Sequence, residues 1–239
     1  MASSKGIGRG IAGALAREGA RVAMASRSRE SIEEAAGSIG GETAAFEADT
    51  SDLDRMRELP GAVADHFGEP VSILVLNTGG PPKGAALDNS HEEWETAYRS
   101  LVLAPRVLVE AALPAMRERG FGRIVNVGSS STREPIPSLN LSNSLRQAAV
   151  GFLKTLSHEV AGDGVTVNTV LTGRFATERL ASNWGSWEEM ERGAAQDVPA
   201  GRLGTPEEYG DLVAFLCSER AGYLTGAQIP LDGGMLRSV

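Results

Sequence analysis

The chain has 239 residues, 41% hydrophobic and 23% charged, a balance that suits one globular α/β domain with a sizeable core. Its 31 acids against 23 bases leave a net charge of −8, which argues against nucleic-acid or membrane partners while leaving room for a small basic pocket. One cysteine, Cys217, excludes an internal disulfide and a cysteine-based zinc site, and His66, His91 and His158 are too scattered to suggest a metal.

No segment is apolar over the length a bilayer requires, and "MASSKGIGRG" lacks the apolar run of a signal peptide, so a cytoplasmic location is expected. The first helix is expected over 8–19, with "SSKGIG" at its mouth. Strands are expected at 21–26, 43–48, 71–76, 122–128, 165–171 and 227–232. Several are apolar on successive residues, as strands covered on both faces should be. Helical spacing recurs over 51–66, 92–119, 141–161 and 205–218. The last opens on Thr205 as N-cap and Pro206 in the first turn. This alternation predicts a Rossmann-like, doubly wound parallel sheet flanked by helices.

In such folds ligands gather beyond the carboxyl ends of the strands. Gly6 and Gly8 would let a ligand approach the backbone at a helix N-terminus, which favours an anion. Taken alone, the pair reads equally well as a turn. Arg27 follows the strand at 21–26, and a plain surface arginine is an equal reading from that segment. "EADTSD" and "LNTGG" end the next two strands, bringing Asp49, Asn77 and Gly79 to the same edge.

Taken in order, the motifs resemble the short-chain dehydrogenase/reductase family over nearly the whole chain, and its 3-oxoacyl-acyl-carrier-protein reductases in particular. "ASSKGIG" stands where the family has its glycine-rich loop, and "LNTG" where it has Asn-Asn-Ala-Gly. "GRIVNVGS" resembles the strand ending in the catalytic serine. "GVTVNTVLTGRFAT" and the segment from "GRLGTPEEYGD" to "LDGG" match the family's C-terminal third.

The resemblance implies a nicotinamide dinucleotide. Family members with an acid after the second strand bind the adenosine ribose hydroxyls, and those with a base accept a 2′-phosphate. Here Ser26-Arg27 stands without an acid and Lys5 lies in the glycine loop, which implies NADP. The match further assigns Ser3, Gly6 and Gly8 to the cofactor loop and Asp49 to the adenine. Asn77 and Gly79 would line the adenine ribose, and Thr177 would meet the nicotinamide.

The family's catalytic Asn, Ser, Tyr and Lys map to Leu101, Ser129, Ser142 and Arg146. Three of the four are replaced. A serine hydroxyl is a poor proton donor, and an arginine stays charged and cannot relay a proton as lysine does. Ser142 and Arg146 lie one helical turn apart, on one face. Ser129, Ser142 and Arg146 are the expected catalytic groups, with Arg146 also placed to hold the nicotinamide ribose, a substrate carboxylate or an oxyanion.

Other groups carry a functional and a plain reading side by side. Tyr98 could face the cleft, though packing is favoured. Ser130, Ser131 and Thr132 could be a hydroxyl-rich loop, Arg133 a solvated arginine, and Asn143 a cap. Trp184, Trp187 and Met190 fall in the segment near 174–200, which the resemblance makes a substrate lid on a single domain spanning 1–239. An apolar lid fits a small hydrophobic substrate.

Two readings remain open. One is an NADP(H)-dependent oxidoreductase acting on a carbonyl or alcohol, a 3-oxoacyl thioester among them. The other is a non-catalytic NADP(H)-binding protein that senses or pairs. Apolar residues around the helices at 92–119 and 141–161 suggest a dimer or tetramer, with 227–236 joining the dimers. Because Met1 stands where the glycine loop begins, the family's first strand has no residues here. The natural chain is therefore expected to begin some ten to twenty residues earlier, or else a gap should lie between the strands at 21–26 and 71–76.

Overall fold

The computed structural model describes residues 1–182 and 184–238. Six strands run parallel: β1 (Val22–Ser26), β2 (Thr43–Glu47), β3 (Ile73–Leu76), β4 (Gly122–Val127), β5 (Val165–Thr172) and β6 (Gln228–Leu231). They form two groups, a β1–β2 pair and a four-stranded sheet in the order β3-β4-β5-β6.

All six expected strands are present, with ends moved by at most two residues. The helices are α1 (Gly6–Arg17), α2 (Arg29–Ile39), α3 (Leu53–Phe67), α4 (His91–Tyr98), α5 (Ala104–Arg119), α6 (Asn140–Val160), α7 (Glu178–Ala181), α8 (Trp187–Ala195) and α9 (Pro206–Cys217). The sequence reading assigned no element to α2. Its signals are present but muted, an N-cap at Ser28 and a buried stripe of Ile32, Ala35 and Ala36. Nor is 92–119 one continuous helix: a π turn over Arg99–Leu103 separates α4 from α5. Pro105, early in α5, has no amide hydrogen to give the Leu101 carbonyl, so the turn widens there.

Both faces of the sheet are covered. Ile124 of β4 packs with Leu74, Val167 and residues of α3, α5 and α6. Its neighbours Val125 and Val127 point the other way, into a core shared with α1, α2 and α9. Every residue of β4 is buried, which explains its nearly unbroken apolar run. The α1–α9 crossing is tight because two glycines meet. A Cβ on Gly210 would sit 2.4 Å from the Gly10 carbonyl oxygen, and one on Gly10 would sit 2.2 Å from that of Pro206. This close approach fixes the direction of α1, whose N-terminus faces the site.

The expected gap is found. β1 and β3 share no ladder, and a cavity of about 370 Å³ lies between them, walled by Ile11, Leu15, Met24, Val63, Leu74 and Leu108 among others. Residues 1–3 close one end. The Ser3 amide donates to the Ala25 carbonyl (3.2 Å), and Asn77 Nδ2 donates to the carbonyls of Met1 (3.1 Å) and Ala2 (3.2 Å).

The apolar breadth that suggested pairing is largely used within the chain. Leu101, Leu108, Val109 and Leu156 are buried among the chain's own residues, and Val102, Leu113 and Phe152 are half-buried. Among the described residues no helix is long and apolar enough to cross a membrane.

Candidate functional site

A cleft of about 1020 Å³ opens beyond the carboxyl ends of β3, β4 and β5. It is lined by the mouth of α1, the loop after β3, the Ser129 turn, the first half of α6 and the start of the lid. Lys5, Gly6, Gly8, Asn77, Gly79, Ser129, Ser142, Arg146 and Thr177 all line it. Nine sequence-distant positions are thus brought to one surface by the parallel order of the strands.

Three expected residues lie elsewhere. Ser3 is buried and turns its hydroxyl to β1, accepting from the Ala25 amide at 2.9 Å, so it lines the inner cavity instead. Arg27 is exposed just past β1, and Asp49, just past β2, accepts from the Ser51 amide at 2.9 Å. Neither borders the cleft as it stands.

The mouth of α1 suits an anion. Its N-cap residue Lys5 makes no side-chain cap and its first turn holds no acid, so amide hydrogens point outward with nothing on the chain to receive them. By contrast α2, α3, α4, α8 and α9 are each capped by a serine, threonine or aspartate. Gly8 has no room for a side chain, since a Cβ would lie 2.2 Å from the Ala2 carbonyl oxygen. Gly6 sits at a φ of +51°, in the region that favours glycine. The residues present therefore fit the pyrophosphate of a dinucleotide. Among the described residues, no group of three potential ligands could hold a metal.

Hydroxyls dominate the far end. Ser129 Oγ accepts from the Ser131 amide at 3.1 Å, and the hydroxyls of Ser131 and Ser142 approach to 3.5 Å. Arg146 Nη1 donates to the Val127 carbonyl at 2.8 Å, anchoring the guanidinium beneath the end of β4. Burial pushes this guanidinium down to about 10, and the positive charge of Arg179 acts in the same direction. Behind it, the Tyr209 hydroxyl meets Thr172 Oγ1 at 2.9 Å. Burial raises the Tyr209 phenol strongly, so it stays neutral.

The remaining candidates sort by placement. Leu101 is buried against Ala97, Leu141 and Leu145, an apolar setting that leaves no water-holding group at that position. Tyr98 is exposed and faces away from the cleft lining. Ser130 borders the cleft, while Thr132 donates its hydroxyl to the Ser129 carbonyl at 2.8 Å. Arg133 is exposed. Asn143 brackets Ile136, donating to its carbonyl (3.0 Å) and accepting from its amide (3.2 Å), and so holds the loop at the cleft rim.

In the lid, Trp184 borders the cleft, Met190 is wholly buried against Ala194 and Leu203, and Trp187 is exposed with its indole N–H on Glu191 at 3.0 Å. The sequence reading passed over Arg179. Its guanidinium reaches across to lie on Gly80, where a Cβ would come within 1.8 Å of Nη2. The doubled glycine of "NTGG" was the one available signal.

A family profile described as "Enoyl-(Acyl carrier protein) reductase" matches residues 1–236. The chain is 33% identical to human "Dehydrogenase/reductase SDR family member 4", over 98% of this chain and 84% of that protein. It is 32% identical to "3-oxoacyl-[acyl-carrier-protein] reductase FabG" of Haemophilus influenzae, over 99% and 96%. The L-sorbose reductase of Gluconobacter frateurii, solved with NADPH and L-sorbose, superposes with a TM-score of 0.94 at 31% identity, covering 100% of this chain and 95% of that one. YwfH, described as an NADPH-dependent reductase of bacilysin biosynthesis, superposes at 0.93 with 27% identity, covering 100% and 97%.

Proposed function

The chain belongs to the short-chain dehydrogenase/reductase family, and from that premise we propose that it is an NADP(H)-dependent reductase of a small carbonyl compound, with altered acid–base groups. The observation that carries this reading is the convergence of Ser129, Ser142 and Arg146 on the same cleft as the open, glycine-lined mouth of α1. When bound, the dinucleotide supplies hydride.

The chain's own residues would hold the dinucleotide and the carbonyl. Gly6, Gly8 and Lys5 would receive the pyrophosphate region, Asn77 and Gly79 the neighbouring ribose, and Thr177 the nicotinamide. Arg27 would take the 2′-phosphate and Asp49 the adenine. Ser129 and Ser142 would donate hydrogen bonds to the substrate oxygen as negative charge gathers on it. Arg146, still protonated near neutral pH, would stabilise that charge without being consumed. Neither serine is acidic enough to surrender its proton for good, so the product hydroxyl would take its proton from water in the cleft. Loss of a tuned proton donor typically costs about 10² to 10⁴ in rate, while positioning is retained.

Residues 1–239 are read as one domain with 174–200 as its lid. Dimeric or tetrameric assembly and a cytoplasmic setting belong to the same proposal. Leu139, Leu180 and Trp184 on the rim favour a substrate with an apolar portion, and a 3-oxoacyl thioester is one candidate. The apolar surroundings of Leu101 favour a second reading, a dinucleotide-binding protein without turnover. The deciding experiment follows NADPH absorbance against ketones, quinones and acyl thioesters. Oxidation dependent on one of them supports the reductase. Tight NADPH binding with no oxidation across the panel supports the second reading.

A further inference from the structure

We infer that Arg179, with Arg146 behind it, forms a subsite for a carboxylate, so that the preferred substrate is an oxo acid. This inference rests on the reductase reading and narrows it. Both guanidinium groups border one cleft, reached from opposite walls. Arg146 rises from α6 and Arg179 from α7, at the base of the lid. Among the described residues, the one hydrogen bond of Arg146 goes to a neutral carbonyl, that of Val127, which does not balance its charge.

The acids of this cleft are committed elsewhere. Glu134 Oε1 receives the amides of Arg237 (2.8 Å) and Ser238 (2.7 Å). Glu178 pairs with Lys5 at 3.0 Å, and Asp197 with Arg174 at 2.6 Å. Burial lowers the guanidinium of Arg179 as it does that of Arg146. Holding two partly desolvated like charges in one cleft is unfavourable unless an anion joins them. A carboxylate accepts from guanidinium groups in a planar, two-pronged geometry that a neutral ester cannot match.

The seat for Arg179 is shaped for it. Its guanidinium lies on the Gly80 backbone, where any side chain would collide. Ser142 lies one turn from Arg146, so a carboxylate held here would be a few bonds from the carbonyl that meets the hydroxyls. Leu180 and Trp184, next along the lid, would cover the apolar portion of the same molecule.

The shared chemistry has a second possible source, the cofactor's pyrophosphate, and the test separates the two. Short oxo acids and their methyl esters are compared as substrates with NADPH, and as ligands of the NADP⁺ complex by thermal shift and calorimetry. The expected result is at least tenfold higher kcat/KM for the acid than for its ester. Arg179→Leu should erase that preference while changing kcat/KM for the ester less than threefold and Kd for NADPH less than threefold. Equal use of acid and ester overturns the subsite while leaving the reductase intact. So does retention of the preference in Arg179→Leu, or a tenfold weaker NADPH Kd with the preference unchanged. If neither is reduced, Arg179-dependent binding of the acid to the NADP⁺ complex upholds the subsite and sinks the reductase. Absence of both turnover and binding overturns the subsite. Arg179→Lys, which keeps the charge without the planar fork, should restore only part of the preference.

Discussion

The hydroxyls of Ser131 and Ser142 lie 3.5 Å apart, one on the turn after β4 and the other on the first turn of α6. Neither is flanked by a group that would lower its pKa to the neutral range, since Arg146 is turned toward the Val127 carbonyl. The pair can therefore orient a carbonyl far better than it can protonate one.

Ser142→Ala should consequently reduce turnover only in part, by about tenfold or less, because Ser129 and Arg146 remain. Arg146→Ala should cost more, on the order of 10² in kcat/KM, comparable to removing one preorganised donor. Arg146→Lys should recover some activity. Steady-state kinetics of the three variants checks this ordering, and equal, near-wild-type values would reduce α6 to scaffolding.

NADPH should bind at least tenfold tighter than NADH, a difference of about 1.4 kcal/mol. One charge-assisted contact to a 2′-phosphate is enough to supply that. Arg27 is exposed past the end of β1, and the Lys5 ammonium is held by Glu178 at 3.0 Å, so its partner would have to be exchanged. Arg27→Ala should weaken NADPH and leave NADH nearly unchanged. Fluorescence titration of both cofactors decides it, with equal dissociation constants as the contrary result.

The divided sheet should show in amide exchange. Strand edges that face a cavity rather than a neighbour are the weakest part of a sheet. Peptides covering Val22–Ser26 and Ile73–Leu76 should exchange faster than those covering Val165–Thr172, which pairs on both sides. Uniform protection across all three would mean the cavity is closed in solution.

Acid should loosen the start of α9. Arg202 beside Glu208, together with the Thr205 amide, holds this carboxyl at about 2, below its ordinary 4.5. The folded-state value is depressed, so the stabilisation is present above the ordinary value and lost as pH falls through about 2. Both side chains are largely exposed, and solvent screening keeps the effect to about 1 kcal/mol or less. The difference in Tm between the wild type and Glu208→Gln should shrink as pH is lowered from about 5 to about 2. A constant difference would show that the ion pair contributes nothing.

The order of elements was legible in the sequence because parallel strands buried on both faces carry continuous apolar runs, as β4 and β5 do, and because α9 announces itself through Thr205 and Pro206. The replacement of the usual catalytic groups by Leu101, Ser142 and Arg146 was equally plain, since it depends only on identity and spacing within one helix and one strand end. α2 escaped because alanines make a faint stripe, and the π turn escaped because it depends on where a proline's missing donor falls. Only the folded chain decided that Asn143 holds a loop, that Ser3 faces β1, and that Leu101 closes an apolar cluster. The meeting of Arg179 with Gly80 and Arg146 joins three separate segments, and no local pattern encodes a contact made across a cleft. Periodicity and motif spacing are properties of neighbours along the chain; the charge balance of a cleft belongs to neighbours in space.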